Sequence, residues 1–214
     1  MNVVQAEPIR SRNARGEGNR LRDEIVAAAT SLLQSVPAQA VTLRAVARAA
    51  GIAAPSIYRH FADLDAIFRA VVDLAFDELE VVLRAAPAGQ RPVDRLRTVC
   101  AAYLSFAREH PQRYRVMFGV DWNASGTMAP SAEELDARAM IGQDALAVLI
   151  AAITECVEAG ESSSVDPSAD AIALWVGLHG LSTLRQTAPS FPWPSELEGA
   201  LVTSLTRLTG AAAQ

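Results

Sequence analysis

The sequence predicts an all-α fold of about nine helices, because apolar residues recur at three- and four-residue spacing through almost every segment. No segment alternates apolar and polar residues as a half-buried strand does, and no internal repeat recurs along the chain. Hydrophobic residues make up 50% of the 214 positions. This proportion is enough for a sizeable core, either in one large domain or in a larger domain with a small one attached.

The first helices are predicted by apolar spacing together with cap residues. Residues 21–36 carry one apolar stripe along a helical face. Thr42 is placed to cap a short second helix, and Gly51 to end it. Pro55 suits the first turn of a third helix, which stops near residue 62, since proline lacks the N–H that this turn leaves unpaired. Asp63 then caps a long fourth helix.

Four or five more helices are predicted beyond the loop at residues 86–92. The dipeptide at residues 110–111, His-Pro, breaks or kinks the first of them. Ser131 with Glu134, and Ser195 with Glu198, have the spacing of capping boxes that begin two later helices. The predicted helices cover about residues 92–109, 131–159, 168–187 and 196–208.

Positive charge is concentrated at the start of the chain. Residues 1–70 carry nine arginines and six acidic residues, a net charge of +3, whereas residues 71–214 carry ten and eighteen, a net charge of −8. Five of the arginines lie between Arg10 and Arg22. A basic head on an acidic body is expected where only the head meets a polyanion. We expect residues 1–16 to be a disordered basic arm.

Several classes of protein are disfavoured by the sequence. The longest apolar run, residues 145–153, is too short to cross a bilayer, and the polar start shows no secretory signal, so we expect a cytoplasmic protein without a membrane partner. Cys100 and Cys156 lack the spacing of a metal site, and we expect reduced thiols. Catalytic, nucleotide-binding and metal-binding motifs are absent, so we expect no enzyme and no cofactor.

Residues 42–61 have the spacing of a helix-turn-helix, in which the second helix enters the major groove of DNA. Ile57 and Phe61 form the inward face of that helix. Its outward surface is polar and basic, and comprises Pro55, Ser56, Tyr58, Arg59 and His60. Helical bundles contain similar corners, so a helical interaction module without DNA binding stays an alternative.

Residues 21–68, from "LRDEIVAAATSLLQ" to "SIYRHFADLDAIF", resemble the N-terminal domain of the tetracycline-repressor (TetR) family of bacterial regulators. The resemblance implies a DNA-binding domain at residues 17–65 and a ligand-binding and dimerisation domain at residues 66–214. It also implies a homodimer, formed by the last two helices, that binds a palindromic operator in double-stranded DNA and responds to a small effector, most often as a repressor. "HPQRYRVMFG" (110–119) and "LWVGLHGLSTL" (174–184) resemble the subgroup with a tryptophan and histidine–glycine (WHG) signature.

The resemblance also implies DNA contacts for individual residues. Thr42 would touch a phosphate, Arg44 would reach a phosphate or a base, and Tyr58 and His60 would bind phosphates. Base edges would meet Ala54, Pro55 and Ser56. Arg59 lies outside the family pattern, and we expect it to bind guanine or phosphate. The alternatives are packing of Tyr58 on the second helix, a solvated Arg59, and His60 as a cation at the helix end.

The chain departs from the family pattern at two places. Ala53 replaces the usual polar cap, at a cost of about 1 kcal/mol, so we expect the recognition helix to become firm only on DNA. Residues 62–65 lack the usual lysine, so one phosphate contact is missing. The arginines between Arg10 and Arg22 are placed to replace that contact.

We expect an effector pocket in the body, lined by aromatic and methionine side chains. The candidates are Tyr103, Phe106, Met117, Phe118, Trp122, Met128, Met140 and Trp175. Because no charged residue stands in a plainly apolar context, we expect a small, largely apolar ligand. The alternative for each residue is ordinary core packing.

The helix at residues 168–187 is apolar nearly all round, so it needs partners on two faces. Gly177 and Gly180 would let a second helix approach closely, either in another subunit or in the same chain. The expected dimer contacts are Trp175, Gly177, Gly180, Leu184, Leu201 and Leu205.

Overall fold

The computed structural model of the chain describes residues 17–87, 89–119 and 141–209. These residues form eight α-helices and two short 3₁₀ helices, so the all-α prediction is confirmed. The α-helices are α1 (Glu17–Ser35), α2 (Leu43–Ala49), α3 (Leu64–Arg84), α4 (Pro92–Glu109), α5 (Pro111–Gly119), α6 (Gln143–Glu158), α7 (Pro167–Thr187) and α8 (Leu197–Leu205). The 3₁₀ helices are Ala38–Ala40 and Ala54–Arg59. Two compact units divide between Phe68 and Arg69.

The N-terminal unit, here called the head, packs α1 against α2 and α2 against the 3₁₀ helix Ala54–Arg59. Its core consists of side chains that the apolar spacing assigned inward, including Ile25, Ala29, Leu33, Val46, Ile57 and Phe61. Thr42 caps α2, since its hydroxyl oxygen accepts a hydrogen bond of 3.2 Å from the Ala45 N–H. Asp63 caps α3 in the same way, through the Ala66 N–H at 2.7 Å.

The recognition helix differs from the prediction of about two α-helical turns. It is a 3₁₀ helix of six residues, Ala54–Arg59, and Ala53 makes no side-chain cap bond. Pro55 in its first turn also lacks an N–H donor. Hydrogen-bond geometry is poorer in a 3₁₀ helix than in an α-helix. The 3₁₀ form therefore agrees with the weak start expected of a helix that has no side-chain cap.

The C-terminal unit, here called the body, is built around α4, which contacts α5, α6, α7 and α8. The predicted break at residues 110–111 is confirmed, because α4 ends at Glu109 and α5 begins at Pro111. Cys100 on α4 and Cys156 on α6 are buried free thiols, and burial raises the pKa of Cys100 to about 12. A thiol with so high a pKa stays protonated and unreactive.

The capping box expected at Ser195 and Glu198 is wrong. The helix begins at Leu197, and the preceding Glu196 makes no side-chain cap bond. The Ser195 hydroxyl donates instead to the Glu196 carboxylate at 2.8 Å, which removes it from the helix N–H groups. The start of the helix predicted from residue 131, with its capping box at Ser131 and Glu134, lies outside the described residues.

Candidate nucleic-acid interface and effector site

The outer face of the 3₁₀ helix in the head, here called the recognition face, exposes the side chains predicted to meet DNA. Tyr58 is 62% exposed, which argues against packing on α2, and Pro55 and Arg59 are exposed as well. Ala54, Ser56 and His60 are half-buried. Ile57 and Phe61 lie inward at 0% and 5% exposure. The helix therefore shows an apolar inner side and a polar, basic outer side.

Two further residues predicted to contact DNA lie at the start of α2. Thr42 is exposed, and its oxygen is already used as the cap of α2. Its hydroxyl hydrogen stays available for a phosphate oxygen, because a hydroxyl both donates and accepts. Arg44, the second residue of the same helix, is exposed, as is Arg48, which was not among the predicted DNA contacts.

Arg22, the last of the five arginines between Arg10 and Arg22, lies on α1 and contacts Phe61. Its guanidinium lies 5.0 Å from the centre of the Phe61 ring, a cation–π distance. Phe61 is the last residue of the predicted helix-turn-helix. Its ring is buried in the core of the head, and one face of the ring contacts the Arg22 guanidinium. Residues 1–16, expected to form the basic arm, lie outside the described residues.

In the body, six rings from four helices meet in one group, here called the aromatic cluster. Its members are Phe76, Tyr103, Tyr114, Phe118, Trp175 and His179. Phe76, Phe118 and Trp175 meet edge to face, with ring centres 5.7 to 6.4 Å apart. The Phe118 ring lies 4.2 Å from the His179 ring and is 39% exposed. The cluster therefore reaches the surface at Phe118.

A chain of hydrogen bonds runs through the aromatic cluster. The Trp175 indole N–H donates to the Tyr103 oxygen at 3.1 Å, and the Tyr103 and Tyr114 oxygens are 2.9 Å apart. The Tyr114 oxygen lies 2.7 Å from Nδ1 of His179. Burial raises the pKa of both tyrosines and lowers the pKa of His179. All of these groups are therefore uncharged at neutral pH.

The predicted pocket residues divide among different surroundings. Tyr103, Phe118 and Trp175 belong to the aromatic cluster, whereas Phe106 and Met117 are buried at 3% and 4% exposure. Trp122, Met128 and Met140 lie outside the described residues. The prediction missed Phe76, Tyr114 and His179. Two of these stand in the quoted subgroup stretches, so the aromatic spacing of those stretches was the signal that could have found them.

The predicted dimer residues do not all share one surface. Trp175 faces the aromatic cluster, and a Cβ atom on Gly177 would lie 2.8 Å from Cδ1 of Leu205 and 3.9 Å from Cδ2 of Leu201. At Gly177 the close approach is therefore made within the chain, the alternative left open above. Gly180 has no described atom within 4 Å of such a Cβ atom, and Leu184 is 50% exposed.

Comparison with known proteins identifies both parts of the chain. Residues 25–71 match the family of bacterial regulatory proteins called the tetR family, and residues 96–208 match the tetracyclin repressor-like C-terminal domain. The chain belongs to the tetracycline-repressor (TetR) family. A TetR-family protein is a DNA-binding transcriptional regulator, so the family and fold indicate a regulatory protein rather than an enzyme. The tryptophan/histidine-glycine (WHG) subgroup stays a prediction.

Relatives of this TetR-family chain are found among curated and solved proteins. The uncharacterized HTH-type transcriptional regulator Rv0681 of Mycobacterium tuberculosis is 27% identical over 166 residues, which are 78% of this chain and 70% of the relative. A protein of unknown function from Rhodococcus sp. RHA1 is 25% identical with a TM-score of 0.69, covering 87% of this chain and 94% of the other. A tetR-family regulator from Rhodococcus RHA1 is 20% identical with a TM-score of 0.64, and the match covers 91% of this chain and 99% of the other. At this identity the similarity shows the fold alone.

The described residues contain no group of three or more metal-binding side chains and no helix long and apolar enough to cross a bilayer.

Proposed function

We propose that this TetR-family chain is a repressor that binds a palindromic operator as a homodimer and is released by a small, largely apolar ligand. The recognition face carries the proposal. The buried Ile57 and Phe61 hold the 3₁₀ helix on the head, so the exposed Tyr58 and Arg59 point away from the core. An exposed arginine on a short, supported helix suits direct contact with guanine or phosphate in a major groove.

The dimer is supported by an exposed ridge on α7. Ile172, Val176 and Leu184 are 51%, 67% and 50% exposed, and Gly180 has open space beside it. These residues stand four positions apart, and such rows form the ridges by which helices pack. Three large exposed apolar side chains along one ridge fit a partner helix better than they fit water. We assign this ridge to the subunit interface, together with Leu201 and Leu205 of α8.

The effector site is assigned to the aromatic cluster. Its rings come from α3, α4, α5 and α7, and the cluster is partly open at Phe118. Phe76 lies on α3, a helix that begins at Leu64 directly after the Asp63 cap. A ligand that displaces the Phe76 ring would therefore act on a helix that continues into the head. By linkage, operator DNA must lower the affinity of the chain for such a ligand by the same factor by which the ligand lowers the affinity for DNA.

A gel shift with the DNA upstream of the chain's own gene tests the proposal. We expect a specific complex that weakens steeply as salt rises, because phosphate contacts release counterions. The control is a fragment of the same length in which the bound sequence is scrambled. Equal binding to both fragments would contradict a specific operator. Absence of binding at low salt would favour the alternative, a helical interaction module.

A further inference from the structure

The aromatic cluster contains a hydrogen-bond chain whose direction is determined by its first member. The indole N–H of Trp175 can only donate, and it donates to the Tyr103 oxygen. Tyr103 is 1% exposed, and its one other hydrogen-bond neighbour among the described residues is the Tyr114 oxygen. The Tyr103 hydrogen therefore points to Tyr114, since an unpaired buried hydroxyl hydrogen would be costly.

The same reasoning determines the form of the histidine. The Tyr114 oxygen accepts from Tyr103, so its own hydrogen is free to go to Nδ1 of His179 at 2.7 Å. Nδ1 is then an acceptor. A neutral imidazole carries one hydrogen, which must therefore lie on Nε2. No described residue forms a hydrogen bond with Nε2. The series of hydrogen bonds thus ends in an N–H donor, Nε2 of His179, that is not used by the described part of the protein.

The position of the His179 ring indicates that this donor faces a ligand site. The His179 ring lies 4.2 Å from the ring of Phe118, which is 39% exposed. The last member of the hydrogen-bond series is therefore beside the open part of the cluster. Ser182 lies three residues further along α7 and is 4% exposed, and its hydroxyl faces the Tyr114 oxygen. Ser182 therefore belongs to the same group of hydrogen-bonding side chains, and Nε2 of His179 is the donor that is left for a bound molecule.

We propose that the effector is an apolar or aromatic molecule with an uncharged carbonyl oxygen, which accepts a hydrogen bond from Nε2 of His179. This inference rests on the proposed function, since it names the ligand class of the same site. The rings of Phe76, Phe118 and Trp175 would contact the apolar body of the ligand. A hydrocarbon would leave the N–H unpaired, and a ligand that offers only donors would face another donor.

A carboxylate suits the site less well than a carbonyl. Burial lowers the pKa of His179, so the imidazole carries no positive charge at neutral pH. A carboxylate placed beside it would lose hydration without gaining an opposite charge, whereas a ketone or ester has little hydration to lose.

Three probes of one size test the ligand class: 2-acetylnaphthalene, 2-ethylnaphthalene and 2-naphthoate, with affinities for the full chain measured by equilibrium dialysis. We expect the ketone to bind about tenfold more tightly than the hydrocarbon, the difference made by one paired donor, and more tightly than the carboxylate. In His179→Phe the ketone should fall to the affinity of the hydrocarbon. Unchanged binding of 2-ethylnaphthalene to this variant shows that the site is still folded.

Equal affinities of the three probes for the wild-type chain would overturn the proposal, as would no binding of any of them or a ketone preference that survives in His179→Phe. Nitrogen-15 NMR of the histidines, assigned with His179→Gln, supplies an independent reading. Hydrogen on Nε2 is the expected form, and hydrogen on Nδ1 would contradict it. A ketone that binds through His179 yet leaves operator binding unchanged would contradict the effector role and retain the ligand class.

Discussion

The Tyr114 oxygen and Nδ1 of His179 are 2.7 Å apart, and the two rings stack with their centres 5.6 Å apart. This pair joins α5 to α7 inside the body. Burial lowers the pKa of His179 from its ordinary value of 6.5, so the folded chain binds a proton at this site less well than the unfolded chain does. The pair is therefore a source of stability that depends on a neutral imidazole.

We expect the free energy of unfolding to fall as the pH drops below 6.5 toward the lower pKa of the folded state, and the contribution of His179 to be fully present above 6.5. Thermal unfolding of wild type and His179→Gln at pH 7.5 and 5.5 measures this effect. Glutamine does not titrate, so the variant should lose less stability on acidification. The other histidines and the carboxylates are common to both proteins. An identical pH dependence would show that His179 does not contribute.

Arg59 on the recognition face should make a large contribution to operator binding. We expect Arg59→Ala to cost about 1–3 kcal/mol and to relax specificity at one base pair, as the loss of an arginine–guanine contact does. Arg108→Ala is the matched control, since Arg108 is an exposed arginine of the body, paired with Glu109. Gel shifts with a set of single-base operator variants measure both quantities. Equal affinities of the two variants would contradict the assignment of Arg59 to the groove.

Tyr58 should act on affinity without acting on specificity. Its side chain is 62% exposed, and its hydroxyl suits a phosphate oxygen. Tyr58→Phe removes only the hydroxyl, so we expect operator and scrambled DNA to lose affinity by the same factor. Measurement of both dissociation constants at one salt concentration decides the matter. A loss confined to the operator would place Tyr58 against a base.

Local features of the fold could be predicted from the sequence because their causes lie a few residues apart. Thr42 and Asp63 cap the N–H groups three residues ahead of them, and α4 ends before Pro111 because proline cannot continue the preceding hydrogen-bond pattern. The 3₁₀ form of Ala54–Arg59 follows from equally local causes, but the choice between two helix types depends on small energy differences.

The aromatic cluster, to which the effector site is assigned as a proposal, was only partly predictable, because its contacts join distant positions. Tyr103 and Trp175 are separated by 72 residues and meet only when α4 packs on α7. Apolar spacing shows that a residue faces inward and does not show which residue it will meet. The same limit applies at Gly177, where a missing side chain predicted a close helix neighbour but could not distinguish α8 from a second subunit.

Gly142 should be required for the position of the Phe76 ring. Gly142 and Gly160 have φ values of +79° and +71°, so alanine at either position bears a strain of about 1–2 kcal/mol. A Cβ atom at position 142 would also lie 2.7 Å from Cε1 of Phe76, whereas position 160 has no described atom within 4 Å. We expect Gly142→Ala to cost about 1–3 kcal/mol more than Gly160→Ala. Urea unfolding measures both losses, and equal values would show that Phe76 moves without cost.

The exposed ridge of α7 provides the test of the homodimer. Val176 on this ridge and Val81 on α3 are 67% and 68% exposed, so the same substitution at either changes a side chain of equal size and exposure. Aspartate at a subunit interface would place a charge against apolar groups of the partner, which costs several kcal/mol when the charge is unpaired. At an exposed site away from an interface, the same change should cost less than about 0.5 kcal/mol.

We therefore expect Val176→Asp to be monomeric at micromolar concentration, with the helical content of wild type, while Val81→Asp stays dimeric. Light scattering and circular dichroism on the two variants measure this difference. The monomer should also lose operator binding, because one short recognition helix reads too few base pairs and a palindrome requires two heads one helical turn apart. Full operator affinity in a monomeric Val176→Asp would refute the proposal that the operator is bound by the two heads of a dimer. A Val176→Asp chain that remains dimeric would place the interface elsewhere than on this ridge.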